Sequence, residues 1–66
     1  MIIKSNLKEI MEEKGVSVRK LASAIGGSPN TIAKARNDMG TRRLEVLVKI
    51  AIALDVSPCD LFTVEE

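Results

Sequence analysis

Gly26-Gly27-Ser28-Pro29 stands between two stretches of helical periodicity, and it leaves the backbone little choice. Two glycines in succession end a helix: glycine takes the left-handed conformation at a C-terminus freely and costs about 1 kcal/mol in a helix interior. Ser-Pro restarts one. A serine hydroxyl accepts from orphan N–H groups, and proline at the first helical position has no N–H to leave unpaired. Val18, Leu21, Ala22 and Ile25 repeat at helical spacing before the break, with Ser17 as cap. Ile32 and Ala35 form a narrow apolar side after it. The segment reads as two helices, about 18–25 and 29–36, joined by a tight turn: a helix-turn-helix candidate. Ala22 is small enough to let the second helix approach closely.

The same punctuation recurs. A first helix over about 6–14 has Ser5 or Asn6 as cap, Leu7, Ile10 and Met11 as its stripe, and Gly15 as its stop. Asn37 to Gly40 has turn chemistry. Thr41 is expected to cap a helix over 42–54 whose apolar positions are Leu44, Leu47, Ile50, Ala51 and Leu54. Ser57-Pro58 starts a short last helix, 58–62, with Asp60 placed to complete a capping box. The opening MIIK fits either a short strand or an apolar arm. The expected architecture is all-α: one compact domain over 1–66, a five-helix bundle with the helix-turn-helix at its centre.

Composition removes several classes of function. Sixty-six residues allow one domain, and 45% hydrophobic residues supply its core. Cys59 is the single cysteine and histidine is absent, so neither an internal disulfide nor a usual zinc site is expected, and no cofactor is implied. With no phosphate-binding Gly-rich loop either, an enzyme is not expected. Phe62 is the only aromatic residue, which argues against a stacking platform for single strands. A small domain without disulfides fits a reducing cytoplasm. MIIKSNLKEI does not read as a signal peptide, and no apolar run approaches the roughly 18 residues that span a membrane.

With Ile32 inward, the side chains standing out from the second helix of the pair are Pro29, Asn30, Thr31, Ala33, Lys34 and Asn37. Asn pairs bidentately with adenine, and Lys donates to guanine O6 and N7. Thr31 and Ala33 suit a thymine methyl. Such a face enters a major groove N-terminal end first. Net charge is only +1, but it is polarised: residues 19–43 carry six cationic side chains against Asp38, and the remainder carries four against eight acids. A basic zone around a candidate reading helix is what attraction to a polyanion requires.

LKEIMEEKGVSVRKLASAIGGSPNTIAKARND followed by LEVLVKIAIALDVSPCDLF resembles the Xre family of helix-turn-helix regulators, which includes phage lambda-type repressors and Cro proteins. The likeness runs over about residues 6 to 62; in some short members the two termini pair as a β-ribbon, an arrangement open to MIIK and FTVE. It implies a sequence-specific, double-stranded DNA-binding regulator of transcription, usually a homodimer on a palindromic operator. Carried over by position, base contacts fall on Pro29, Asn30, Thr31 and Lys34, with Ala33 nearby. Phosphate contacts fall on Ser17, Val18, Ser28 and Arg42 or Arg43; Arg19, Lys20 and Asn37 complete the phosphate candidates. The chain departs from the family at Val18, where a phosphate-clamping Gln is common, and at Pro29, where a polar reader is common. Ala35 and Arg36 stand where a larger apolar residue and an acid are often found. Arg36 is expected to pair instead with Glu12 or Glu13.

Val46, Val48 and Ile52 make the fourth helix apolar over more than one face. A homodimer interface is expected on Val48, Ile52, Cys59, Phe62 and Val64. Bound over a promoter, such a dimer represses by excluding polymerase; activation uses the same geometry. The rival reading is a protein-interaction module on the same scaffold, an antitoxin or anti-repressor whose partner is a toxin or another regulator.

Overall fold

The computed structural model describes residues 1–66. In chain order the elements are β1 (Ile2–Ser5), α1 (Leu7–Lys14), α2 (Val18–Ile25), α3 (Pro29–Asn37), α4 (Leu44–Leu54), a 3-10 turn (Pro58–Leu61) and β2 (Phe62–Glu65). Four helices are present, and the expected fifth is replaced. Residues 58–61 make a single 3-10 turn, and Phe62 already belongs to a strand. The Asp60 carboxylate accepts from the Ser57 backbone N–H at 3.2 Å, so the start signal operates. The helix stops after one turn because the chain must straighten to meet β1.

The termini form a two-stranded antiparallel ribbon, with Ile3 opposite Val64 and Ser5 opposite Phe62. Strand side chains alternate faces, so Ile3, Ser5, Phe62 and Val64 share one face. Asn6 locks the ribbon to the body. Its N–H donates to the Leu61 carbonyl at 2.9 Å, and its side-chain Nδ2 donates to Thr63 Oγ1 at 2.8 Å. That commitment leaves Asn6 without a capping bond to α1, although it occupies the N-cap position. The Ser5 hydroxyl serves instead, accepting from Leu7 N–H at 3.3 Å.

The other helix ends follow local chemistry. Ser17 caps α2 by accepting from Lys20 N–H at 3.1 Å, and Ser28 caps α3 by accepting from Thr31 N–H at 3.4 Å. Gly15 and Gly26 end α1 and α2 at φ of 66° and 69°. Helix α4 ends without glycine, on Asp55 at φ 56°, a conformation in which aspartate is better tolerated than most residues. It also begins later than expected, at Leu44 after Arg43. Thr41 does not cap it; its hydroxyl donates to the Asp38 carboxylate at 2.6 Å.

Twelve apolar side chains make the core. Leu7 and Met11 of α1, Leu21 and Ala22 of α2, Ile32 and Ala35 of α3, and Leu47, Ile50, Ala51 and Leu54 of α4 supply ten. Met39, in the α3–α4 loop, and Leu61, in the 3-10 turn, close the two ends. Leu44 is the exception among the expected core positions, at 74% exposure.

Candidate nucleic-acid interface

The α2–α3 pair is held by its buried sides. Leu21 and Ala22 are sealed in the same core as Ile32 and Ala35, and all four are at most 1% exposed. Neither helix can rotate without exposing them. The far end of α3 is fixed by β1, where the Ser5 hydroxyl donates to the Ala35 carbonyl at 2.7 Å. That carbonyl lies in the last turn of α3, where helical partners run out.

This anchoring leaves Pro29, Asn30, Ala33, Lys34 and Asn37 exposed together on one side of α3. Thr31 sits half-buried at the border, its hydroxyl 3.1 Å from that of Ser28, so both are already engaged with each other. Asn37 Nδ2 donates to the Ala33 carbonyl at 3.4 Å, a long bond that leaves its amide free to turn. The Lys34 side chain takes part in no ion pair. The candidate reading face therefore comes down to Asn30, Ala33, Lys34 and Asn37, with Pro29 at its start.

Around this face lie the candidate phosphate contacts. At the start of α2 the Ser17 hydroxyl is occupied by Lys20 N–H, so the unbonded N–H groups of Val18 and Arg19 are the donors offered there. The side chains of Arg19 and Lys20 are exposed. The two arginines of the α3–α4 loop differ. Arg43 is exposed and takes no part in an ion pair. Arg42 is half-buried: its Nη2 donates to Thr41 Oγ1 at 3.0 Å, and its Nε is buried with no acceptor. Asp38 organises this loop through Thr41, accepting from its N–H at 3.3 Å as well as from its hydroxyl. The Asp38 carboxyl is held below the ordinary aspartate value, chiefly by the Thr41 hydroxyl; partial desolvation opposes this, and backbone N–H groups and the Arg42 charge assist it.

The expected Arg36 pair with Glu12 or Glu13 does not form; the structure holds one ion pair, Lys49 with Glu45 at 3.0 Å on α4. Arg36 instead lines an open cleft of about 220 Å³ with Lys8, Ala33 and Asn37. Lys8 was not singled out from sequence, because its nearness to α3 depends on how the two helices cross.

The candidate interface between copies is spread over two elements. On α4, Leu44, Val48 and Ile52 recur every four residues; Leu44 and Ile52 are 74% exposed and Val48 is half-buried. Beside them a cleft of about 230 Å³ runs between α4 and the apolar ribbon face, lined by Ile3, Met39, Gly40, Arg42, Leu44, Leu47 and Phe62. At Gly40 a Cβ would lie 3.2 Å from that of Ile3, a contact that the ribbon could relieve only by shifting a few tenths of an ångström. Val64 extends the apolar surface along the ribbon. Val48, Ile52, Phe62 and Val64 are among the residues expected at such an interface, whereas Leu44, expected in the core, and Ile3 border the same apolar surface. Cys59 is exposed in the 3-10 turn and unpaired. Val46 is half-buried against the core. No three His, Cys, Asp or Glu side chains converge as a metal site would need, and no helix is long and apolar enough to cross a membrane.

Comparison with known proteins agrees with this geometry. The profile of one family, described as the Cro/C1-type HTH DNA-binding domain, matches residues 6–66. A crystal structure from Bacteroides fragilis, of a protein described as a candidate DNA-binding protein, superposes with a TM-score of 0.82 at 32% sequence identity, covering 94% of this chain and 100% of that one. No curated protein matches the sequence.

Proposed function

This chain belongs to the Cro/C1-type helix-turn-helix DNA-binding domain family, and from that premise we propose that it is a transcriptional repressor that binds a palindromic operator as a homodimer. The observation that carries this reading is the two-sidedness of α3. Ile32 and Ala35 are wholly buried, while Asn30, Ala33, Lys34 and Asn37 stand free on the opposite side. A helix held this firmly, with a polar face whose only side-chain bond is the long one from Asn37 to its own helix, is suited to a major groove.

Roles divide by chemistry. Asn30 and Lys34 read base edges as bidentate and cationic donors, and Ala33 admits close approach to a thymine methyl. Thr31, already bonded to Ser28, acts from the border of the face. The N–H groups of Val18 and Arg19, the side chains of Lys20 and Arg43, and the Ser17–Ser28 helix starts fix the register on phosphates. Arg42, being half-buried, contributes through the loop it stabilises more than by reaching out. The apolar surface of Leu44, Val48, Ile52, Ile3, Phe62 and Val64 supports pairing of two copies. A twofold pair presents two α3 helices to successive major grooves about 34 Å apart. Bound over a promoter, it excludes polymerase.

Footprinting of a bound duplex tests this reading. Two protected stretches one helical turn apart on one face of the duplex are expected. Uniform protection that follows protein concentration alone would overturn it.

A further inference from the structure

We propose that Lys8 of α1 and Arg36 of α3 form a two-cation clamp for one backbone phosphate of the bound duplex. The inference rests on the DNA-binding reading above and adds to it a contact from the first helix.

Lys8 and Arg36 line the same open cleft of about 220 Å³, and its other walls are Ala33 and Asn37. No acid lines it. Neither cation has an ion pair, and Glu9, Glu12 and Glu13, the three acids of α1, pair with nothing. Two cations drawn together in one concavity repel each other, and an anion between them turns that repulsion into attraction. The donor set suits a phosphate: a planar guanidinium fork, a mobile ammonium, and the weakly engaged Asn37 amide at the rim.

The cleft also adjoins the reading face. Ala33 and Asn37 belong to both. At about 100° per residue, Arg36 and Thr31 fall on opposite borders of the exposed arc of α3. The Ser28–Thr31 border faces one wall of a groove; the Lys8–Arg36 border then faces the other. Arg36 is half-buried and follows directly on Ala35, whose carbonyl is tied to Ser5, so its backbone is held in place. The duplex backbone is the occupant that this position selects, because any phosphate reaching the cleft while α3 lies in a groove is part of the same duplex.

The test compares the wild-type chain with Lys8→Gln, Arg36→Gln, the double variant, and Lys14→Gln as a control from the same helix that lies outside the cleft. Glutamine keeps helix propensity close to that of Lys and Arg, and circular dichroism checks that each variant is folded. Affinity for a duplex that the wild type binds is measured against salt. Lys8→Gln and Arg36→Gln are expected to weaken binding to all duplexes alike, by several-fold near 100 mM salt, and to lower the slope of log affinity on log salt by about one. The double variant is expected to lose less than the product of the two single losses, because both cations meet one phosphate. Lys14→Gln should match wild type. In phosphate-ethylation interference, one phosphate should matter to the wild type and not to the double variant.

Unchanged slopes and affinities in both single variants, with the wild type binding normally, overturn the clamp and leave the DNA-binding reading intact. A folded wild-type chain that binds no duplex overturns that reading, and the clamp with it.

Discussion

The Ser5 hydroxyl donates to the Ala35 carbonyl at 2.7 Å, joining the N-terminal strand to the last turn of the candidate reading helix across 30 positions of sequence. Without it, a carbonyl on a wholly buried residue loses its partner. Ser5→Ala is expected to destabilise the fold by about 1–2 kcal/mol, the usual penalty for orphaning a buried acceptor. Urea denaturation checks this, and an unchanged midpoint would mean that another donor or water replaces the serine.

The Asp38–Thr41 bond gives the α3–α4 loop a pH dependence. A carboxyl held below its ordinary value in the fold contributes stability that is present above the unfolded value. That contribution is lost as pH falls through the depressed folded value. The wild type should therefore melt higher than Asp38→Ala at neutral pH, with the gap closing only once pH falls below the ordinary aspartate range near about 3.9. Thermal melts across that range decide it. A gap that does not vary with pH would show that the carboxylate charge contributes nothing.

Leu44 and Ile52 are each 74% exposed, so replacing both with serine costs a single copy little. The double variant is expected to remain folded, to sediment as a monomer where the wild type forms a dimer, and to bind an inverted-repeat duplex at least tenfold more weakly, on the order of 1.4 kcal/mol. Sedimentation equilibrium reads the first result and a binding titration the second. A wild type that is monomeric even on DNA would remove the interface assigned here.

Lys34 and Arg43 should fail in different ways. Lys34→Ala is expected to cost about 1–3 kcal/mol at one operator position and to relax selectivity there. Arg43→Ala should weaken binding to every sequence and flatten the salt dependence. Affinities for a panel of single-base operator variants at two salt concentrations separate these patterns. If the two substitutions behaved alike, α3 would not be the reading element.

Much of this molecule was legible because its helix junctions are decided locally. Ser17, Ser28, Gly15 and Gly26 each do in the structure what their chemistry implies over three or four neighbours. What escaped depends on distant partners. The 3-10 turn stops at Leu61 because β1 awaits β2, a pairing nearly the whole chain apart. Thr41 bonds back to Asp38 because the loop folds on itself before α4 starts. Leu44 follows the periodicity of α4, yet it lies in the first turn, where no element covers it. Lys8 lines a cleft with Arg36 only through the crossing of α1 and α3, so that cleft has no sequence signature at all.

The most direct measurement is selection of bound duplexes from a random pool by the full chain, at about 100 mM salt so that non-specific charge attraction is partly screened. Enrichment of an inverted repeat whose half-sites lie one helical turn apart is expected. Recovery of no enriched sequence by the folded protein would contradict it, because the exposed face of α3 would then be reading nothing.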